Sequence, residues 1–401
     1  MMKFHDSDRL RALTDGYTGA FGKAPSRFFS APGRTEICGN HTDHQNGRVL
    51  AAAVDLDTVA AVGFSDIPEI RVLSEGYSLC RVPLNSLDPD PAEAGTTAAL
   101  IRGVAAAFRD AGCRLSGFNA YVKSRVLPGS GLSSSAAFEV LMGTILNALF
   151  FGGRASPAEI ARYAQFAENV YFGKPCGLMD QMASSVGNLV EMDFSDPAQP
   201  RIEPLDYDFS QSGHALCIID SGASHADLTD EYAAIPAECR AIAGRFGLET
   251  LSRVPEAAFY SWIPELRRDC GDRAVLRAMH VYQENRRVEA AADALRRKDF
   301  SQFLSVIRAS GRSSFMYLQN VSPAGAIRDQ AMAVTLALCD HLLQGQGAFR
   351  VHGGGFAGTA QAFVPLPMLE AFRTRIDDVL GSGACQILTI RPQGGVELEV
   401  S

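Results

Sequence analysis

Hydrophobic positions recur along this chain with two different periods. Alternating or β-rich runs at residues 58–64, 118–126, 188–194 and 215–219 predict strands. Alanine-rich amphipathic runs at 97–111, 133–150, 157–170, 231–246, 285–297 and 324–343 predict helices. The two kinds interleave from end to end, which predicts an α+β or α/β class. Residues 196–209 hold Pro197, Pro200 and Pro204 among polar side chains, just after a strand-like run. That stretch predicts a boundary between two domains, 1–205 and 206–401. A chain of 401 residues fits two cores more comfortably than one.

Composition narrows the partners. Hydrophobic residues make up 47% and charged residues 20%, ordinary values for a globular protein and wrong for a disordered one. The net charge of -8 leaves no cationic surplus for a phosphate backbone, so nucleic acid is not an expected partner. A single nucleotide is still within reach, through local backbone donors, a few cations and a metal. Nine cysteines without a C-x-x-C pair predict free thiols in a reducing compartment. Residues 1–10 are too polar for a signal peptide, and the longest apolar candidate, 140–151, is too short to span a bilayer. Together these predict a cytoplasmic protein with no membrane partner.

Four segments concentrate chemistry. Residues 127–137 read Leu-Pro-Gly-Ser-Gly-Leu-Ser-Ser-Ser-Ala-Ala, between a predicted strand and a predicted helix. Pro128 favours a tight loop, and Gly129 and Gly131 let backbone N–H groups approach a ligand without a Cβ in the way. Ser133, Ser134 and Ser135 fall at the helix start, where free N–H groups and the helix dipole attract anions. The same residues also suit a plain strand–helix turn with a serine cap. No Walker A pattern and no nucleophile elbow is present. Residues 31–49 crowd Arg34, Glu36, Asn40, His41, Asp43 and His44 together, a set of donors and acceptors suited to a polyhydroxylated ligand. A solvated loop and a metal site through His41 and His44 are the alternatives, the second lacking a clear third ligand.

Residues 174–186 place Asp180 among apolar and small neighbours, where a carboxylate needs a partner such as Arg34. It reads equally as a general base and as a helix-start aspartate. Upstream, Glu168 lies on a predicted helix and suits magnesium or solvent. Finally, Gly353, Gly355 and Gly358 satisfy G-x-G-x-x-G. A strand rather than a helix is predicted to follow, and too little chain remains for a dinucleotide fold. A backbone turn near phosphate fits better.

In this order, the segments resemble the galactokinase branch of the small-molecule kinases that include homoserine and mevalonate kinases. The likeness covers nearly the whole chain. Gly33-Arg34 through Asp43 is similar to the family's sugar segment, 127–137 to its phosphate loop, and Cys176 to Gln181 to the segment with the catalytic aspartate. Asp220-Ser221-Gly222, with His225 and Tyr232, resembles a sugar-proximal segment, and 353–358 the third glycine motif. The resemblance implies an α+β fold of two domains, ribosomal-protein-S5-like and ferredoxin-like, with the active site between them. It implies ATP as co-substrate, cradled by Pro128, Gly129, Ser130, Gly131, Leu132, Ser133, Ser134 and Ser135. It implies Asp180 and Arg34 as catalytic residues, and Mg2+ on Ser134 or Ser135 and Glu168. Sugar would meet Asn40, His41, Asp43 and Tyr232. A monomer is expected.

Several positions depart from the family's pattern. Glu36 and Asn40 stand where relatives usually carry Asn and Glu, and His44 where they carry Tyr. The family's Glu at position 40 meets the C6 end of the sugar, so Asn40 widens the substrate from galactose to galacturonate or L-arabinose. Thr97 stands where an adenine-side tryptophan is usual, and the only tryptophan is Trp262. The alternative class is a sugar-sensing binding protein without turnover.

Overall fold

Two sheets organise the computed structural model, which describes residues 2–3, 6–126, 131–223 and 228–400. Among the described residues the larger sheet runs Met2–Lys3, Val396–Glu399, Arg27–Cys38, Arg48–Phe64, Phe118–Ser124, Glu69–Ser74, Cys80–Pro83. Leu189–Asp193 pairs with the first part of Arg48–Phe64, and Arg201–Leu205 pairs with Leu189–Asp193. The smaller sheet is antiparallel throughout, in the order Ala348–Val351, Thr359–Pro365, His214–Asp220, Cys385–Leu388. The class is α+β.

Strand Arg48–Phe64 explains why much of the core lacks clean alternation. Ala60 and Val62 point into a cluster with Val104, Phe108, Val140 and Leu141, from helices Thr97–Asp110 and Ser134–Phe150. Val59 and Ala61 point the other way, onto Leu13 and Tyr17 of helix Ser7–Phe21. Both faces are covered, so both sets of alternate positions are apolar.

Most predicted elements are present with shifted ends, such as Asp272–Arg296 around 285–297 and Ala331–Leu343 within 324–343. The predicted helix at 157–170 stops at Phe166 and continues as a wider π-helical turn, Ala167–Phe172, which carries Glu168 inward. The chain's end returns to the first sheet: Val396–Glu399 pairs with Arg27–Cys38, and Glu397 accepts from Arg27 Nε at 2.6 Å. A split at residues 205/206 takes no account of that return.

The two halves share one core. Ile37, Val54, Leu132 and Leu189 pack with Leu216, Ile218, Phe303 and Phe363. Phe303 is fully buried against Phe209 and Phe363. Phe303→Ala should cost about 3–5 kcal/mol, seen as a lower denaturation midpoint in urea.

Candidate active site

Strand Arg27–Cys38 is almost entirely buried yet carries Arg34 and Glu36. Its pairing with Arg48–Phe64 slips between Pro32 and Arg34 and again between Glu36 and Cys38. Bulges of this kind re-aim side chains. Here they flank the two charged residues, and each finds a partner.

Arg34 grips Asp180 with two parallel bonds, Nε to Oδ1 at 2.6 Å and Nη2 to Oδ2 at 2.8 Å. Its remaining nitrogen donates to the Gly131 carbonyl, and its backbone N–H to that of Leu132 at 3.0 Å. The Gly131 Cα faces Thr359 so closely that a Cβ would lie 2.3 Å from the Thr359 hydroxyl. Glycine is needed there for space as well as for its φ of +72°. Asp180 opens helix Met179–Val186. Burial pushes its carboxyl up, but Arg34, the Ser133 hydroxyl and Lys174 outweigh it and hold it below the usual carboxylate range. It is therefore ionised at neutral pH.

Glu168 is buried and satisfied on both oxygens. Oε1 accepts from Ser135 Oγ at 3.1 Å and pairs with Lys174 at 3.2 Å. Oε2 accepts from Gln181 Nε2 at 2.7 Å. Gln181 also reaches Glu139, whose pKa burial and then the Glu168 charge push well up. Lys174, Gln181 and Glu139 were not singled out from the sequence.

Two cavities flank this cluster. One, of about 760 Å³, is lined by Asp43, His44, Lys174, Gly177, Tyr232 and Arg240 among others. The other, of about 940 Å³, includes Ser134 and Ser135. Glu168 touches Lys174 from the first cavity and Ser135 from the second, so it bridges their walls, although Glu168, Asp180 and Arg34 are not themselves among the residues lining either. Helix Ser134–Phe150 begins at the second cavity, with Ser133 held at a left-handed φ of +59° just before it. Its free N–H groups and positive dipole end suit an anion. Pro128, Gly129 and Ser130, with His225, lie outside the described residues.

Burial pushes Asp43 up to about 6; its His44 backbone bond works against this, and the charges of Asp180 and Glu36 add to it. Tyr232 donates to the Gly355 carbonyl at 2.9 Å. Asn40 and His41 are not among the residues lining the cavity. Asn40 Nδ2 donates to Gly353 O at 2.6 Å and Glu36 Oε1 at 3.1 Å, and its Oδ1 accepts from Asn320 at 2.8 Å. Its hydrogen-bonding capacity is spent inside the protein. Glu36 in turn pairs with the fully buried Arg350 at 2.5 Å.

The histidines form a neutral relay. Gln45 Nε2 donates to His44 Nδ1 at 3.2 Å, leaving His44 Nε2 to donate to His41 Nδ1 at 3.1 Å. His41 Nε2 then donates to Gly354 O at 3.0 Å. Burial and the neighbouring His41 hold His44 down at about 3. Every ring nitrogen is occupied, which leaves none for a metal. Among the described residues no group of three or more His, Cys, Asp or Glu is placed to hold one.

This geometry has relatives. A family model described as the galactokinase galactose-binding signature matches residues 15–64, and one for the GHMP kinases N terminal domain matches 99–188. The chain is 30% identical to a galactokinase of Streptomyces coelicolor over 367 residues, 90% of each chain. It is 31% identical to one of Lacticaseibacillus casei over 382 residues, 92% of each. The chain belongs to the galactokinase family. Its fold matches the crystal structure of Lactococcus lactis galactokinase complexed with galactose at a TM-score of 0.82 and 23% identity, over 97% of this chain and 99% of that one.

Two predictions follow from the buried charges in this family member. Asp43 has a folded pKa above the ordinary 3.8, so its contribution to stability is present below about pH 4 and is lost as pH rises through about 6. Asp43→Asn should therefore raise the Tm of the ligand-free protein at pH 8 and leave it nearly unchanged at pH 4. An equal shift at both would remove titration as the cause. Asn40→Glu sets a second carboxylate beside Glu36 and should cost on the order of 3 kcal/mol. The Glu36→Asn/Asn40→Glu exchange should recover at least about 1 kcal/mol of that in a double-mutant cycle read by urea denaturation.

Proposed function

We propose that this protein transfers the γ-phosphoryl group of ATP to the C1 hydroxyl of galactose, giving galactose 1-phosphate and ADP. The observation that carries the reading is Asp180 ionised against Arg34, beside Glu168, which contacts a lining residue of each of the two cavities. One cavity has room for a sugar and brings the polar groups of Asp43, His44, Lys174, Tyr232 and Arg240 to its wall; the other begins at a helix N-terminus suited to phosphates.

The C1 hydroxyl donates to Asp180, which orients its oxygen toward the γ-phosphorus. As that oxygen bonds to phosphorus, the bond to the β–γ bridging oxygen breaks and ADP leaves. The hydroxyl proton passes to Asp180 and then to water. A carboxylate held this low is a poor base for the free hydroxyl. It does not need to be a strong one, because phosphoryl transfer demands little of the nucleophile before the transition state. Arg34 offers its charge to the developing negative oxygens, so catalysis is mostly positioning and electrostatics. Asp43 accepts from ring hydroxyls, with Tyr232 beside it. Ser134 or Ser135 and Glu168 carry the hard oxygens that would hold Mg2+, Glu168 exchanging its bonds to Ser135 and Lys174 for the ion, which would supply neutralisation of the phosphate charge.

Asn40 gives no reason to leave galactose for galacturonate or L-arabinose, because its side chain is spent on Gly353, Asn320 and Glu36. Retention of Asp180, Arg34 and Glu168 supports turnover rather than sensing alone. Asp180→Asn should keep the fold by circular dichroism and lose at least about 100-fold in kcat in a coupled ADP-release assay with galactose. A near-normal rate would take Asp180 out of the mechanism.

A further inference from the structure

The cavity beside Ser134 and Ser135 holds one residue that the proposed transfer leaves unused. Tyr77 lies in the turn after strand Glu69–Ser74 and lines the cavity with its side chain 70% exposed. Its ring makes no hydrogen bond or ring contact among the described residues. Such a side chain on a loose loop would mean little. This turn is not loose. Tyr77 N–H donates to Ser74 O at 3.0 Å, and Glu75 N–H to Val122 O at 2.9 Å. The Glu75 carboxylate pairs with Lys123 at 2.6 Å, and Gly76 takes the φ of +82° that the turn requires. A three-point anchorage to the sheet thus presents an aromatic face to a cavity.

The rest of the lining suits a flat, uncharged ring. Leu79, Leu100, Val126 and Phe138 are apolar, and Phe138 packs against the core, so Tyr77 offers the open aromatic face. The two acids in the lining are already neutralised, Glu75 by Lys123 and Glu93 by Arg102 at 2.6 Å. Ser78, Thr96 and Thr97 supply polar groups for the edges of a base.

We propose that Tyr77 is the stacking platform for the adenine ring of ATP and sets the enzyme's affinity for the nucleotide. This rests on the kinase reading, in which the phosphates lie at Ser134 and Ser135 and the base takes the remainder of the same cavity. Stacking on a pre-positioned ring is insensitive to the sugar, so the effect is confined to the nucleotide.

The test is calorimetric titration of the full-length protein with magnesium-ADP, beside steady-state kinetics with magnesium-ATP and galactose. Tyr77→Ala should raise the Kd for ADP and the KM for ATP by roughly tenfold or more, with the KM for galactose unmoved. Tyr77→Phe should keep wild-type values, because it keeps the face. Thr97 lines the same cavity, so Thr97→Trp added to Tyr77→Ala should restore part of the affinity by supplying a ring from another wall. Values for Tyr77→Ala within about twofold of wild type, or equal losses in the Phe and Ala variants, would overturn the proposal. So would a wild-type protein that binds no ADP. If wild-type protein binds ADP but turns over no sugar, the kinase reading fails and the Kd comparison still decides Tyr77.

Discussion

The structure depends on charges carried through a buried strand. Arg27–Cys38 lies between the two halves, and an unpaired ion there would cost several kcal/mol. Arg34 therefore has to meet Asp180, and Glu36 has to meet Arg350. These pairings tie one strand to a helix of the first half and to the second sheet. Burying this strand therefore favours assembling, at the same time, the residues on which the chemistry rests.

That constraint explains the site's uneven electrostatics. Asp180 is ionised because a guanidinium faces it squarely, whereas Asp43 and Glu139, buried without such a partner, are pushed toward their neutral forms. The acids have separate environments and hence separate tasks. Glu36 turns its carboxylate toward Arg350. Asn40 is left as an internal tie between the strand and the glycine turn at Gly353.

Much of this was legible before the fold was known. Alanine-rich apolar runs marked helices Thr97–Asp110 and Ser134–Phe150, which are buried nearly all round, without a break from Ala99 to Phe108 and from Glu139 to Leu146. The glycine loop, the crowded segment from Arg34 to His44, and Asp180 stood out because such residue types are rarely concentrated without a ligand or a partner. Strand Arg27–Cys38 was not legible as a strand. Pro32, Gly33 and its charges mask the β pattern, and its polar side chains are tolerated only because distant residues pair them.

The sequence by itself determined the class of fold and the family, since these follow from local pattern and from motifs in a fixed order. Only the tertiary structure decided which of the candidate side chains reach a cavity. Asn40 and His41 sit two and three residues from Cys38 and Asp43 looks much like them in sequence, yet Asp43 faces the cavity while Asn40 and His41 close hydrogen bonds onto the turn at Gly353 and Gly354. Lys174 and Arg350 were equally invisible as partners. Charge pairing across long stretches of chain is a property of three-dimensional proximity, and no local pattern records it.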